Sequence, residues 1–420
     1  MAATARTGAR ASSIIGELEY IGMEFKVIVM LVRPGSSRRL IIDRFSVYIL
    51  LKIWNMETFH VNNYKGLKDL ELRGLSRVNL IVGRNNVGKS SLLEVLSLYY
   101  SGGSVNELLD ILDYSGERVV TKTSSYSGEK VIDNEAHFLS LFNRSGFEGG
   151  KAPAIVLDDG TFVISLGIGY QKEKRIRKDS SVNHILEYLT ESEFLSGSGK
   201  NGVIAEKGLA IRAGDSFQFL PFHSEFQVFA ESKKCVFVRP ADFILVPNAA
   251  LFDKIAMSDK EEKLLAALRI IEPQIQKINY LESDPGSKNR VPFVVVGPKS
   301  ERVRLTSMGD GINRILTIIL SMLNCPAGGA LAVDEIDNGL HYSVQEQLWK
   351  MVFSLANELD VQVFATTHSM DCLKSFAQVN SGEDGLLIRL DARSDGEIVP
   401  QYYSEPDDIR FAVESQIELR

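Results

Sequence analysis

The sequence predicts an α/β fold in which helices cover a largely parallel sheet. Three short apolar runs carry this prediction, at Val78 to Val82, Leu331 to Val333 and Val361 to Ala365. Short runs without alternation are typical of parallel strands that are buried on both faces. The first two are followed by helical patterns, at Ser91 to Tyr100 and near Gln345 to Leu359. Strands that alternate with helices in this way predict a parallel sheet with crossover helices.

A glycine-rich turn joins the first of these strands to its helix. It fits the pattern G-x-x-x-x-G-K-[ST], whose glycines let main-chain N–H groups curve around an anionic phosphate. The lysine reaches the β- and γ-phosphates of a nucleotide, and the hydroxyl after it is placed to bind Mg²⁺. A chance match is disfavoured because the strand and the helix that the mechanism needs flank the turn. The predicted nucleotide-binding residues are Gly83, Arg84, Asn85, Asn86, Val87, Gly88, Lys89, Ser90 and Ser91, with Ser90 also a metal ligand.

The second apolar strand ends in two acids, Asp334 and Glu335. In a Walker B element the first acid holds Mg²⁺, directly or through water, and the second orients and deprotonates the attacking water. An acidic strand end in an ordinary turn is the alternative, which the pairing with a phosphate loop disfavours. Lys89 and Asp334 are much further apart than the roughly 30 residues of one strand-helix-strand unit. The sequence therefore predicts a large insertion between the two halves of the site.

Three further motifs surround the acidic strand. The pattern Ser-x-Gly-x-Gly, at Ser307 to Gly311, precedes a helix, Asp337 lies in the loop after the acids, and His368 follows the third apolar strand. This order of parts resembles the ABC-type ATPase heads, including RecF and the SMC-like repair ATPases. The segments Gly83 to Ser91, Asp334 to His341 and Ala365 to Ser369 are more closely similar to bacterial AAA-domain ATPases grouped with the OLD (overcoming lysogenization defect) family. The resemblance covers about Met56 to Arg420.

The resemblance implies a role for each motif. Ser307, Gly309 and Gly311 would form a signature segment that contacts the γ-phosphate of a nucleotide held by another subunit. His368 would be the switch histidine that senses this phosphate, and Asp337 would lie in the loop that links the two sites. Alone, the first motif could be a helix cap and the histidine an ordinary polar residue at a strand end.

The implied fold is a P-loop NTPase of the ABC-head type, with ATP and Mg²⁺ as cofactors and a homodimer as the assembly. Residues 56–100 would form the N-terminal part of the ATPase domain, 101–300 an inserted α+β lobe, and 301–420 the C-terminal part. The signature differs from the Leu-Ser-Gly-Gly-Gln of transporters, and no glutamine is identified as the Q-loop ligand. The stretch after His368 is too short for the Toprim domain of OLD nucleases, so nuclease activity of that kind is not expected.

The insertion has short patterns of its own. We predict short helices at Leu108 to Leu112 and Ala136 to Phe142, and strands within Ala154 to Leu166 and Phe217 to Val238. Asp259 to Ile278 predicts a helix that Pro273 kinks or breaks.

One basic cluster lies inside the insertion. It comprises Lys172, Lys174, Arg175, Arg177 and Lys178. The cluster is either a contact for a nucleic-acid backbone or a solvated hairpin edge, on which lysines prevent strand pairing.

Composition limits the partners and the compartment. The chain has 420 residues, 45% of them hydrophobic and 24% charged, and a formal net charge of −7. Its apolar runs all fall short of the roughly 18 to 20 residues of a membrane span, so no membrane partner is expected. The negative charge leaves only a local patch for any nucleic acid. Cys235, Cys325 and Cys372 lack the pairing of a disulfide framework or zinc site, which favours a cytoplasmic protein.

Residues 1–55 differ from the rest, with an excess of basic over acidic side chains. They are interpreted as a leader, either an organelle transit peptide or upstream sequence translated from an early start codon. We expect weak or irregular structure before Met56, or a segment that is not part of the native fold.

Two functions are consistent with these observations. The first is an ATPase that uses ATP-driven dimerisation as a conformational switch, in DNA repair or phage defence. The second is a nucleotide-gated scaffold that binds DNA or a partner effector and hydrolyses ATP slowly, as in toxin-antitoxin systems.

Overall fold

The structure, a computed structural model, describes residues 14–21, 24–33, 36–42, 56–117, 134–143, 154–178, 181–190, 205–224, 234–240, 248–282, 290–298, 301–380 and 384–414. Contacts within the chain divide it into two compact units, Met1–Met56 and Glu57–Arg420.

The first unit contains a three-stranded antiparallel sheet. Its strands are β1 (Ile14–Ile21), β2 (Glu24–Arg33) and β3 (Ser36–Ile42), with β2 in the middle. The irregular structure expected before Met56 is therefore wrong for these residues. The sequence pattern that predicts a strand here is that of β2, EFKVIVMLVR, which is rich in the β-branched residues that strands favour. That residues 1–55 are a leader outside the native fold stays a prediction.

The second unit contains strands and helices in the following order. The strands are β4 (Thr58–Tyr64), β5 (Leu67–Arg73), β6 (Val78–Gly83), β7 (Ala154–Asp158), β8 (Val163–Lys178), β9 (Ser181–Thr190), β10 (Ala205–Ala213), β11 (Ser216–Pro221), β12 (Cys235–Val238), β13 (Ile275–Glu282), β14 (Arg290–Val296), β15 (Glu301–Arg304), β16 (Ala330–Val333), β17 (Gln362–Thr366), β18 (Gly385–Ala392) and β19 (Ile398–Tyr403). The helices are α1 (Lys89–Tyr100), α2 (Val105–Tyr114), α3 (Glu135–Leu139), α4 (Asn248–Asp253), α5 (Asp259–Ile271), α6 (Asp310–Asn324), α7 (Gln345–Leu359), α8 (Met370–Val379) and α9 (Pro406–Glu414).

The core of this unit is a six-stranded sheet with the order β12-β16-β17-β6-β18-β19. All its pairs are parallel except β18 with β19. Every residue of β6, β16 and β17 is buried, which explains the largely apolar runs in the sequence. Because these strands are parallel, the segments that follow them leave the same edge of the sheet. The predicted α/β fold is confirmed.

Helix packing fixes the segment that follows β17. Trp349 of α7 is fully buried against Phe376 of α8, with ring centroids 4.9 Å apart in an edge-to-face arrangement. The Trp349 indole N–H also donates to the main-chain oxygen of Cys372 at 3.1 Å. Burying a large apolar side chain contributes roughly 1.5 to 3 kcal/mol. This packing holds α8, and with it the residues between β17 and α8.

The insertion was predicted to be a lobe, but several of its strands pair within sheets of the ATPase domain. Strands β7 to β11 extend the antiparallel sheet that β4 and β5 begin, in the order β11-β10-β8-β7-β4-β5, with β9 paired to β8. β12 lies in the core sheet. An isolated hairpin of β4 and β5 would be marginal in water, whereas the extended sheet buries Phe59 and Val61 completely.

Most of the short predictions in the insertion are confirmed. The two short helices correspond to α2 and α3, and the first strand region to β7 and β8. β11 and β12 lie in the second strand region, part of which falls outside the described residues. Helix α5 ends at Ile271, before Pro273, because proline lacks an N–H and disfavours a helical residue before it.

The basic cluster lies on the hairpin of β8 and β9. Lys172 pairs with Glu187 at 3.4 Å. The side chains of the other four basic residues lie outside those described, so both interpretations of the cluster stay open. Among the described helices, none is long and apolar enough to cross a membrane.

Candidate functional site

The predicted phosphate loop lies between β6 and α1. Gly83 ends the strand with φ 144°, Asn86 has φ 63°, and Gly88 precedes the helix with φ 93°. A Cβ on Gly83 would lie 2.5 Å from the main-chain oxygen of Leu390, and one on Gly88 would lie 2.9 Å from Leu67 Cδ2. Both positions therefore require glycine. Gly88 offers no side chain to cap α1, so the N–H groups of the first turn face the loop and are suited to an anion.

Lys89 is the first residue of α1 and is only 6% exposed. Its Nζ donates to the main-chain oxygens of Gly83 at 2.8 Å and Arg84 at 2.9 Å, so the side chain folds back over the loop. Burial lowers the pKa of Lys89, and the charges of Asp334 and Glu335 oppose this shift. The ammonium group thus lies in the loop and within the field of the acidic strand end.

A chain of hydrogen bonds joins the start of α1 to the ends of β16 and β17. Ser90 Oγ donates to Asp334 Oδ2 at 2.7 Å, and Thr366 Oγ1 donates to Asp334 Oδ1 at 2.5 Å. Asp334 is 8% exposed. The two halves of the site that the sequence predicted are therefore in contact, even though the insertion separates them in the chain.

Ser90 and Asp334 fit a magnesium ion. They present a hydroxyl and a carboxylate oxygen side by side, and Mg²⁺ prefers oxygen ligands. The described residues contain no cluster of three or more His, Cys, Asp or Glu that could hold a metal. A site with one carboxylate suits Mg²⁺, which keeps several waters and takes further oxygens from nucleotide phosphates.

Glu335 is held in a turn with φ 50°, a conformation that few residues other than glycine adopt. Its N–H donates to Thr366 Oγ1 at 2.8 Å, and its main-chain oxygen accepts a short hydrogen bond from the Arg314 guanidinium. One side-chain oxygen accepts from Asn338 Nδ2 at 3.0 Å. These three contacts orient a half-buried carboxylate beside Asp334, the predicted metal ligand.

Asp337 and His368 lie at the same edge. Thr367 Oγ1 donates to Asp337 Oδ1 at 2.5 Å and accepts from the Ser369 N–H at 3.0 Å. Ser369 in turn caps α8 by accepting from the Cys372 N–H. His368, between Thr367 and Ser369, is exposed. The structure therefore brings the loop after β16 together with the end of β17.

The three signature residues lie together at the start of α6. Ser307 is exposed, and its Oγ donates to the Arg304 main-chain oxygen of its own turn at 2.6 Å. Gly309 has φ 110°. A Cβ on Gly311 would lie 3.2 Å from Leu340 Cδ2, so this segment borders the loop after the acids. The hydrogen bonds described for Ser307 stay within its own turn and do not extend to the phosphate loop.

Sequence reasoning missed three supporting residues, Thr366, Thr367 and Arg314. The two threonines were visible as polar residues at the end of an apolar strand. Arg314 was visible as a cation within the apolar sequence of α6, where it is 8% exposed. Burial lowers the pKa of Arg314 to about 10, against the opposing charges of Asp337 and Glu335.

Comparison with known proteins agrees with this geometry. The family model described as "AAA ATPase domain" matches residues 55–145 and 248–373, more than half of the chain, and its interruption falls inside the predicted insertion. The chain is 25% identical over 350 residues to a protein of Helicobacter pylori described as an ATP/GTP phosphatase, with 78% of this chain and 89% of that one covered.

Two solved structures are similar over most of their length. One is an SMC head bound to the C-winged helix domain of ScpA, with 11% identity, a TM-score of 0.43 and coverage of 84% of this chain and 98% of that one. The other is the SMC head domain of Thermotoga maritima, with 10% identity, a TM-score of 0.39 and coverage of 83% and 99%. Because the family model matches more than half of the chain, the chain belongs to the AAA ATPase domain family and is an ATP-binding and ATP-hydrolysing protein.

Proposed function

We propose that this protein is a Mg²⁺-dependent ATPase that uses ATP-driven dimerisation as a conformational switch. The observation that carries the hydrolytic part is the 2.7 Å hydrogen bond from Ser90 Oγ to Asp334 Oδ2. It joins the hydroxyl after the loop lysine to the acid at the end of β16, the two groups that hold magnesium in P-loop NTPases. The match to the AAA ATPase domain and the similarity to an ATP/GTP phosphatase support the same activity.

The phosphate loop accounts for nucleotide binding. The N–H groups from Gly83 to Gly88 and in the first turn of α1 receive the phosphate oxygens. Lys89 Nζ then exchanges its bonds to the Gly83 and Arg84 carbonyls for bonds to the β- and γ-phosphates. Ser90 and Asp334 would hold the magnesium ion, which would supply charge neutralisation at the nucleotide phosphates.

Glu335 is the residue that we assign as the base. As the water oxygen forms its bond to the γ-phosphorus, the carboxylate accepts the proton of that water. The bond from the phosphorus to the bridging oxygen of ADP breaks, and ADP and phosphate are the products. Asn338 holds one carboxylate oxygen, while Thr366 and Arg314 hold the Glu335 main chain. The base is therefore oriented before the nucleotide arrives.

The dimer part of the proposal is supported by the signature residues. Ser307 and Gly309 are exposed at the N-terminus of α6, where main-chain N–H groups and the helix dipole favour an anion. In the dimer, this end of α6 contacts the γ-phosphate of the ATP that the partner holds. His368 is exposed at the sheet edge and senses the same phosphate.

The substitution Glu335→Gln tests the hydrolytic assignment. Because only the basic oxygen is lost, we expect phosphate release to fall roughly 10²- to 10⁴-fold, the contribution of general acid-base catalysis. The affinity for ATP, measured by calorimetry, should stay close to that of the wild type. Glu346→Gln, on the exposed face of α7, is the matched control and should leave phosphate release unchanged. A Glu335→Gln protein that releases phosphate at the wild-type rate would contradict the assignment.

A further inference from the structure

The hydroxyl of Thr366 contacts both Asp334 and Glu335, although Thr366 belongs neither to the phosphate loop nor to the acidic pair. It is the last residue of β17 and is completely buried. Its Oγ1 is 2.5 Å from Asp334 Oδ1 and 2.8 Å from the Glu335 nitrogen. One hydroxyl therefore contacts both the metal ligand and the main chain of the base.

The directions of these two hydrogen bonds follow from the chemistry of the groups. The Glu335 main-chain nitrogen can only donate, so the threonine oxygen must accept there. A hydroxyl has a single proton, and an ionised carboxylate can only accept, so that proton goes to Asp334 Oδ1. The orientation of the hydroxyl is thereby fixed, and one oxygen of Asp334 is committed to Thr366.

The Thr366 hydroxyl accepts a main-chain hydrogen bond just beyond the point where the regular pairing of β16 ends. β16 ends at Val333, and the Asp334 N–H still bonds to Val238 of β12 at 2.9 Å. The chain then turns at Glu335, whose φ of 50° takes its N–H out of strand geometry. One residue later, still within the turn, the Ile336 N–H donates to the Thr366 main-chain oxygen of β17 at 2.9 Å. Thr366 thus holds both sides of the turn that carries the base.

We infer that Thr366 is a positioning residue that selects the oxygen of Asp334 that faces magnesium and fixes the start of the Glu335 turn. With Oδ1 committed to Thr366, Oδ2 is the oxygen left toward Ser90, at 2.7 Å. This inference rests on the proposed magnesium-dependent ATPase function. Thr366 has no contact of its own with phosphate or water in this scheme and acts through Asp334 and Glu335.

The test is Thr366→Val, which removes the hydroxyl and nearly keeps the shape of the side chain. The readout is the affinity for the β,γ-imido analogue of ATP, measured by calorimetry with Mg²⁺ and again with EDTA. Groups that orient metal ligands change metal affinity or activity by about 10- to 100-fold when they are removed. We expect the magnesium-dependent gain in affinity to shrink by about this factor in Thr366→Val, while the affinity in EDTA stays at the wild-type value.

Three further variants separate positioning from general destabilisation. Thr366→Ser keeps the hydroxyl and should restore the magnesium-dependent gain. Thr366→Ala removes the hydroxyl with less crowding and should behave as Thr366→Val does, so the test stands even if the valine variant folds poorly. Thr317→Val is the matched control, because Thr317 is also buried and its hydroxyl accepts from Asn248 at 2.8 Å and donates to Asn313 at 3.1 Å. The Thr317→Val variant should have a lower Tm but an unchanged magnesium-dependent gain in affinity.

The outcomes distinguish the inference from the function on which it rests. A wild type that binds the analogue equally well with Mg²⁺ and with EDTA overturns the proposed magnesium site, and the inference with it. A wild type that shows the gain, together with Thr366→Val and Thr366→Ala variants that keep it in full, overturns the role of Thr366 alone. The inference is supported if Thr366→Val and Thr366→Ala lose the magnesium-dependent gain in affinity while Thr366→Ser and Thr317→Val keep it.

Discussion

At the scale of single residues, the surroundings of Lys89 bear on how the loop binds phosphate. Its ammonium group is buried, its pKa is lowered by that burial, and two main-chain oxygens satisfy it. A buried cation that bonds only to neutral carbonyls is poorly compensated compared with one that meets an anion. Phosphate oxygens therefore gain from Lys89 a charge-assisted hydrogen bond that the loop cannot supply to itself.

The variant Lys89→Ala tests this at the same scale. Hydrogen bonds to charged groups contribute about 1.5 to 3 kcal/mol each, and 1.4 kcal/mol is tenfold in affinity. We expect ATP affinity, measured by isothermal titration, to fall by at least about tenfold and tight binding to be lost. Lys350→Ala is the control, since Lys350 pairs with Glu346 on the surface of α7. Equal ATP affinity of Lys89→Ala and the wild type would contradict the assignment of the loop.

Sequence could identify the residues that act through local geometry. Gly83 to Ser91 are contiguous, and Asp334 and Glu335 end a recognisable strand, so spacing alone predicts their chemistry. Thr366 and Arg314 were missed because their roles depend on contacts with a distant turn. The hydroxyl of Thr366 meets Glu335 across 31 residues of chain, and Arg314 meets the same residue across 21. Neither partner is visible until the strands are placed side by side.

At the scale of elements, the strands were predictable and their order was not. Apolar runs predict β6, β16 and β17, but no local pattern states that β17 lies between the other two. No local pattern predicts the pairing of β7 with β4 either, because the phosphate loop separates these two strands in the chain. Such pairing depends on which edge strands would otherwise leave main-chain N–H and C=O groups unpaired, and this is a property of the whole sheet. The insertion was therefore predicted as a separate lobe although its first strands complete the sheet of the N-terminal hairpin.

Helix α6 links two parts of the site. It begins at the signature residues, and Arg314, in its second turn, donates to the main-chain oxygen of Glu335. The left-handed turn at Glu335 costs of order 1 to 3 kcal/mol, and such a conformation persists only when its surroundings fix it. A movement of α6 would consequently move Glu335, the proposed base.

The variant Arg314→Met tests this link. Methionine fills a similar space without the guanidinium, so the Glu335 main chain loses one of its restraints. We expect kcat to fall by about tenfold, as for other groups that orient a catalytic residue, with ATP affinity unchanged. Arg269→Met is the matched control, because Arg269 also donates to a main-chain oxygen, that of Ile275 at 2.9 Å, but on α5. A kcat loss shared equally by both variants would indicate general destabilisation and contradict the link.

At the scale of the whole molecule, the proposed dimer depends on where the signature residues lie. The hydrogen bonds around Asp334 join the start of α1 to the ends of β16 and β17, whereas the hydroxyl of Ser307 bonds within its own turn. The N-terminus of α6 thus presents exposed groups that suit an anion, and the phosphate loop of its own chain is not among the contacts described for them. A second copy of the chain, bound with two-fold symmetry, would supply each phosphate loop with the α6 end of its partner.

The last prediction concerns this dimer. Glu335→Gln should retain ATP and magnesium, so the ATP-bound state accumulates and a dimer should form that the wild type forms only transiently. Adding Ser307→Arg should reverse this, because a bulky side chain at the start of α6 prevents the close approach of the partner. Light scattering at saturating ATP and Mg²⁺ measures both. The same change at another exposed serine, Ser354→Arg on α7, is the matched control and should leave the Glu335→Gln dimer intact. A Glu335→Gln protein that stays monomeric, or a dimer that tolerates Ser307→Arg as well as Ser354→Arg, would show that the site is complete within one chain.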